Sequence, residues 1–270
     1  MSFYVQEIFI MTINKILHPK LALSDITHGF FTRKGGYSKS PYNSLNCSFN
    51  VEDNESDVKK NLTLICNELK LEKLIGLNQI HSDKVLVVNS EDDKINDINA
   101  DGLVTKLKGV GLSVLGADCA PILFYDKTSK TIGACHAGWR GAINGIIEAT
   151  IANMENLGAK RKDIISVIGP TIHKESYQIK KDVALIVKKT KFYKNNESIL
   201  FQMDQDKYLF DLPLLIKEIL KFSKVKNFGD IDMNTYEKPD LFFSHRKSSH
   251  DNFPKQAKTG RHISVIGLVD

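Results

Sequence analysis

Several common signals are absent from this 270-residue chain. Its four cysteines, Cys47, Cys66, Cys119 and Cys135, form no CxxC pair. So few thiols in a chain of this length are no disulfide framework, and they suit a reducing, cytoplasmic setting. No uncharged stretch approaches the ~18 residues of a spanning helix, so a membrane protein is not expected. The opening MSFYVQEIFIMTINKI carries Glu7 early and lacks a basic n-region and a long apolar h-region, so no secretory signal is expected. The eight histidines include no His-x-His pair, which leaves a trinuclear copper cluster unsupported. No PCxxC pair is present, so the combined pattern of familiar zinc deaminases, an HxE motif with a PCxxC pair, is missing. There is no internal repeat, no low-complexity stretch and no Pro/Ser-rich linker.

What is present is ordinary for a globular protein: 42% hydrophobic and 26% charged residues, with a formal charge of +5 carried by scattered lysines. That balance mildly favours anionic partners. Without a dense basic tract interleaved with aromatics it does not point to nucleic acid. One domain over residues 13–270 is the simplest division. Residues 1–12 read as a disordered N-terminal extension, with Met11 a candidate start.

Periodicity predicts strands over 26–34, 84–88, 110–115, 121–125, 131–136, 164–168 and 262–268. It predicts helices over 56–70, 141–156, 180–189 and 212–222. Strands and helices are mixed, with hairpin-length gaps around 116–136. The expected class is α+β, a mixed β-sheet with flanking helices.

The stretch TIGACHAGWRG sets Cys135 beside His136. On a strand, adjacent side chains point to opposite faces, so the two cannot share a site. Cys135 is assigned to the core and His136 to the strand's exit. Two other residues sit in comparable places: Cys119 at the GADCAP turn between two apolar strands, and His81 just before a strand in NQIHSDKV. Two imidazoles and a thiolate are a plausible first shell for zinc with one position open. The wide spacing is no zinc-finger signature, and a satisfied histidine or buried thiol is the plainer reading of each residue alone.

Taken together, FTRKGGYSKSPYNSLN, NQIHSDKV, ADGLVT, GADCAPILFYD, GACHAGWRG, IGPTI, PDLFFSHR and TGR resemble the YfiH/laccase-domain family, in order and over nearly the whole chain. The resemblance implies one α+β domain with zinc held by His81, Cys119 and His136. It also implies phosphorolysis of adenosine, inosine and methylthioadenosine, plus adenosine deamination. Arg33 and Arg246 match positions associated with the family's pocket. Departures are Ser82 for the usual glycine, Thr171 where IGPC is common, and Asn50 and Glu52 in a segment that often reads HVGD. The last leaves Asn50 without an assigned role.

Deamination would need a proton shuttle, for which Asp118 and Asp101 are candidates. Their plainer reading is turn formation and a hydrogen bond to a metal ligand. Phosphorolysis needs an anion site, for which Arg33, Arg140 and Arg246 are candidates, with the AGWRG turn leading into a helix. SHRKSSH reads as a mobile loop beside the pocket, with His250 a weak further ligand. The expected partners are a nucleoside and phosphate, with the chain a monomer or weak homodimer. Three rivals use the same residues. A cysteine amidase acting on a cell-wall precursor would have Cys119 as nucleophile and His136 or His81 as base. A copper polyphenol oxidase would put Cu²⁺ in the site. A non-enzymatic nucleotide sensor would make the zinc structural.

Overall fold

The computed structural model describes residues 13–90 and 98–269, so the proposed extension over 1–12 lies outside the described residues. The expected mixed sheet is in fact two mixed sheets and a small third one. The first runs β1 (Lys15–Ile16), β2 (Ile26–Phe31), β14 (His262–Leu268), β6 (Val110–Gly116), β3 (Lys73–Ile75). All its pairs are antiparallel except β3 with β6. The second runs β13 (Asn227–Asp230), β9 (Ile165–Ile168), β7 (Ala120–Asp126), β8 (Thr131–Ala137), β5 (Gly102–Thr105), β4 (Val85–Val88). Its outer pairs are parallel and its inner ones antiparallel. The third comprises β10 (Gln178–Lys180), β12 (Lys207–Phe210) and β11 (Leu200–Gln202).

The large sheets face each other across one core. Phe30, Leu112, Val114 and Ile266 of the first meet Leu103, Leu123, Tyr125, Ala134 and Val167 of the second. The first sheet's other face packs Phe31, Ile263 and Val265 against Ile65 and Leu69 of α1 (Glu55–Leu69). The second sheet's other face packs Ile122, Phe124 and Cys135 against α3 (Ile146–Asn156) and α6 (Leu212–Phe222). Strands covered on both sides have no need to alternate, and β7 and β8 are accordingly apolar over most of their length and buried at every position.

The helix expected over 141–156 is two helices. A six-residue α2 (Trp139–Asn144) ends at Gly145, whose φ of 107° no ordinary side chain tolerates, and α3 restarts there. α4 (Lys181–Lys188) packs on β10 and β12 of the small sheet, and α5 (Lys191–Asn195) packs against α4 and α6. SHRKSSH is not a loop. Ser244 caps α7 (His245–Asn252) by accepting from the Lys247 N–H.

Two connections matter for function because they cross between the large sheets. One joins β3 to β4 and carries His81; the other joins β6 to β7 and carries Cys119. Both reach the end of β8 that carries His136.

Candidate metal centre

His136 is the next-to-last residue of β8, on the face opposite Cys135. Cys135 lies in the helix-side core, while His136, though 4% exposed, borders a cleft between the sheets. The cleft measures about 600 Å³. His81 enters it from the first crossover, with φ of 60°, and Cys119 from the second. The ligand-type atoms of His81, Cys119 and His136 all lie within 4.8 Å of one another. Cys119 Sγ is 3.8 Å from His81 Nε2, and the two imidazole rings meet edge to face at 4.8 Å.

One buried carboxylate organises this cluster. Asp101, just before β5, accepts from His136 Nδ1 at 2.9 Å and from the His81 and Ser82 N–H groups at 3.0 and 2.6 Å. It also accepts from the Ser82 hydroxyl at 2.8 Å, a bond that the usual glycine could not make. With Nδ1 donating to Asp101, the other nitrogen of His136 is the one left as a lone-pair donor. Burial alone would raise the Asp101 pKa, but His136 and the Ser82 bonds outweigh it and hold the group at about 2.

Burial would likewise raise the Cys119 thiol, yet His136 and His81 pull it well below its ordinary value. Burial would lower His136, and Cys119 and Asp101 push it up instead. The pair thus favours a thiolate beside a cationic imidazole when nothing else is bound. A cation taking the place of the imidazole proton would meet one thiolate and two neutral imidazoles, the donor set that suits zinc. Gly138 leaves room for this: a Cβ there would sit 2.8 Å from Cys119 Sγ and 2.9 Å from a His81 ring carbon.

The other expected residues divide. Arg140 and Arg246 both line the cleft. Arg140 lies over the Trp139 ring at 4.7 Å, and Arg246 over Tyr177 at 5.3 Å while donating to the Gln178 carbonyl at 2.8 Å. Arg33 does not reach the cleft. It donates to the carbonyls of Asn43 and Pro239 and covers the Phe243 ring at 4.3 Å, so it ties the Gly35-Gly36 turn to the segment before α7. Asp118 also departs from expectation, since its carboxylate bonds no metal ligand. At φ 96° it accepts from the Thr235 hydroxyl and from the Arg246 N–H at 2.7 Å each, anchoring α7 to the crossover. Thr171 donates to the Asp118 carbonyl at 2.6 Å, a structural use for the residue found where IGPC is common. His250 pairs with the Tyr236 hydroxyl, away from the cluster.

Sequence reasoning missed Arg261, Tyr177, Gln79 and Asn50, all of which line the cleft. Gln79 bonds the Leu115 N–H and carbonyl with its two amide ends, and Asn50 donates to Asn78. Arg261 stands in TGR, one of the family segments, and that was its only signal. Gln79 had the same kind of signal, standing in NQIHSDKV, and Tyr177 had none.

No helix among the described residues is long and apolar enough to cross a membrane. A family model described as multi-copper polyphenol oxidoreductase laccase matches residues 27–269. A protein of Rickettsia prowazekii named purine nucleoside phosphorylase is 35% identical over 205 residues, 76% of this chain and 83% of the relative. The Bacillus subtilis purine nucleoside phosphorylase YlmD is 31% identical over 256 residues, 90% of this chain and 89% of the relative. Among solved structures, a Neisseria meningitidis protein superposes with a TM-score of 0.84 at 29% identity, covering 96% of this chain and 99% of that one. With the sheets, the crossovers and the His81–Cys119–His136 cluster in place, the chain belongs to the multi-copper polyphenol oxidoreductase laccase family, the YfiH-like proteins.

Proposed function

We propose that the protein is a zinc-dependent purine nucleoside phosphorylase acting on adenosine, inosine and methylthioadenosine. The observation that carries this reading is one cleft holding both a three-donor cluster and guanidinium groups without carboxylate partners among the described residues. The names of the relatives supply the substrate class. Three protein ligands favour a catalytic over a structural site, since structural zinc usually takes four. That weighs against the sensor reading.

Zinc held by His81, Cys119 and His136 would supply a Lewis acid of net charge near +1 that polarises a bound oxygen. The protein's own part is positioning. Asp101 fixes the His136 tautomer and the backbone turn of His81. Arg140 and Arg246 offer donors and charge to phosphate on the same wall. An oxygen of the phosphate attacks C1′ of the ribose and the C1′–N9 bond breaks. Its electron pair leaves with the purine, which takes up one proton. The products are the free base and the sugar 1-phosphate: ribose 1-phosphate from adenosine or inosine, and its 5-methylthio counterpart from methylthioadenosine.

Adenosine deamination is included in the reading, with water attacking C6 and ammonia leaving. Asp118 is the one carboxylate among the residues lining the cleft, and both its oxygens and those of Asp101 already accept hydrogen bonds. Neither is free as a proton shuttle, so that step falls to solvent or to a group brought by the substrate. The cysteine-hydrolase reading draws on the depressed Cys119 thiol beside His136. Among the described residues, His81, Cys119 and His136 are the only group of three or more metal-ligating side chains, which leaves a multicopper cluster without further ligands.

The test is metal analysis of the purified protein joined to nucleoside assays with and without phosphate. Free base released only with phosphate, lost on chelation and restored by zinc, is the expected result. Inosine formed from adenosine without phosphate marks deamination. Amide hydrolysis that survives metal removal and is blocked by Cys119 alkylation would replace the proposal with the cysteine hydrolase.

A further inference from the structure

Phosphorolysis requires a place for an anion, and one of the three arginines that sequence offered for it, Arg33, is occupied elsewhere. The cleft contains a guanidinium better suited to the task. Arg261 immediately precedes β14, and its backbone is held on both sides. Its N–H donates to Asn46 Oδ1 at 2.9 Å, and its carbonyl accepts from the Cys47 N–H at 3.0 Å. Its side chain folds back so that Nη1 donates to the carbonyls of Thr259 and Gly260, each at 2.9 Å. Nε and Nη2 carry no hydrogen bond among the described residues. Gly260 allows the fold-back, because a Cβ there would meet the Phe243 ring at 2.8 Å.

Arg261 shares the cleft with other guanidinium groups and has no ion-pair partner among the described residues. Arg246 lines the same cleft, its own Nη1 committed to Gln178 and its backbone to Asp118. No ion pair joins Arg140, Arg246 or Arg261 to a carboxylate among the described residues, whereas Arg161, outside the cleft, pairs with Glu155 at 2.8 Å. Among the described residues Asp118 is the sole acid lining the cleft, and its two oxygens are engaged. A half-buried guanidinium costs free energy when it is left unpaired. An anionic ligand removes that cost and finds two preset donors on Arg261.

We propose that Arg261, together with Arg246, grips a tetrahedral oxyanion in the cleft, and that Arg33 takes no part in it. Resting on the phosphorolysis reading, this anion is the attacking phosphate. The grip itself requires only that inorganic phosphate bind. Burial pushes the Arg261 pKa down, against the pull of Cys119 and Asp118.

The experiment uses the metal-loaded full chain, its Arg261→Met and Arg261→Lys variants, and Arg33→Lys as a comparison. Inorganic phosphate binding is measured by calorimetry at constant ionic strength, and KM is measured separately for phosphate and nucleoside. Arg261→Met should weaken phosphate binding and raise its KM by roughly 10- to 100-fold while the nucleoside KM moves by less than about threefold. Arg261→Lys should recover only part of this, because an ammonium cannot present the paired donors. If Arg261→Met fails to fold, Arg261→Lys alone decides, by a phosphate affinity that falls while the nucleoside KM holds. Unchanged phosphate affinity in a folded Arg261 variant, or a loss as large in Arg33→Lys, overturns the grip. Phosphate binding that depends on Arg261 without phosphate-dependent base release would sink the phosphorylase reading and leave the grip standing. Phosphate-dependent release indifferent to Arg261 would do the reverse.

Discussion

The cleft and the cores around it treat the same side chains in opposite ways. Cys119 and Cys135 are both free thiols next to or within the central hairpin of the second sheet. Cys135 faces the helix-side core, where burial drives its pKa far up and it behaves as a small apolar group. Cys119 is half-buried on the cleft, and two imidazoles reverse the effect of that burial. His136 and His262 differ in the same manner. His136 has Asp101 and Cys119 beside it and is pushed up. His262 packs edge-on against Phe242 with neither ring nitrogen bonded, and burial lowers it to about 3. Burial by itself makes both residue types inert; neighbouring charge restores their chemistry.

The sharpest way to break this comparison is to remove one donor at a time. His81→Ala, Cys119→Ala and His136→Ala should each lose bound zinc and nucleoside turnover, read by metal analysis and base release. Retention of zinc by Cys119→Ala would end the assignment. A smaller effect is expected one shell out. Asp101→Asn keeps the shape but not the charge that orients His136 and His81, and metal affinity should fall by about 10- to 100-fold in a competition titration with a chelator.

The histidine contrast has a pH signature. His28 and His262 have folded pKa values lowered to about 4 and about 3, both chiefly by burial. Above the unfolded value near 6.5 both are neutral in either state, and stability is intact. As pH falls below it the unfolded chain binds protons first, so each histidine should destabilise the fold by about 2 kcal/mol at about pH 5. Urea midpoints between neutral and acid pH should therefore decline, and His262→Leu should make the decline shallower. An identical slope in that variant would show His262 to be accommodated as a cation. The smallest effect belongs to Cys135→Ala, which should keep zinc and turnover and cost on the order of 1 kcal/mol in the same denaturation assay.

Much of this was legible beforehand. The apolar runs that became β6, β7, β8, β9 and β14 are each within one or two residues of their predicted bounds, because strands buried on both faces write uninterrupted hydrophobic segments. Period alone separated Cys135 from His136, and turn chemistry located Cys119. The break at Gly145 was overlooked because the apolar spacing of 141–156 continues through it. SHRKSSH was taken for a loop because its helix owes its start to a serine cap rather than to an apolar stripe. Arg33 was misplaced for a different reason. Its position beside a glycine pair resembles an anion site, but its partners Pro239 and Phe243 lie some two hundred residues away in sequence.

The sequence by itself determined the long buried strands, most of the longer helices, the family and the identity of three chemically able side chains, since propensity, period and residue type are local properties. Only the tertiary structure decided that two crossovers between separate sheets carry His81 and Cys119 to the end of β8. It also decided that Arg261 rather than Arg33 faces the same space. Those outcomes depend on which strand pairs with which, and pairing is settled by the burial of whole faces, a quantity no short segment contains.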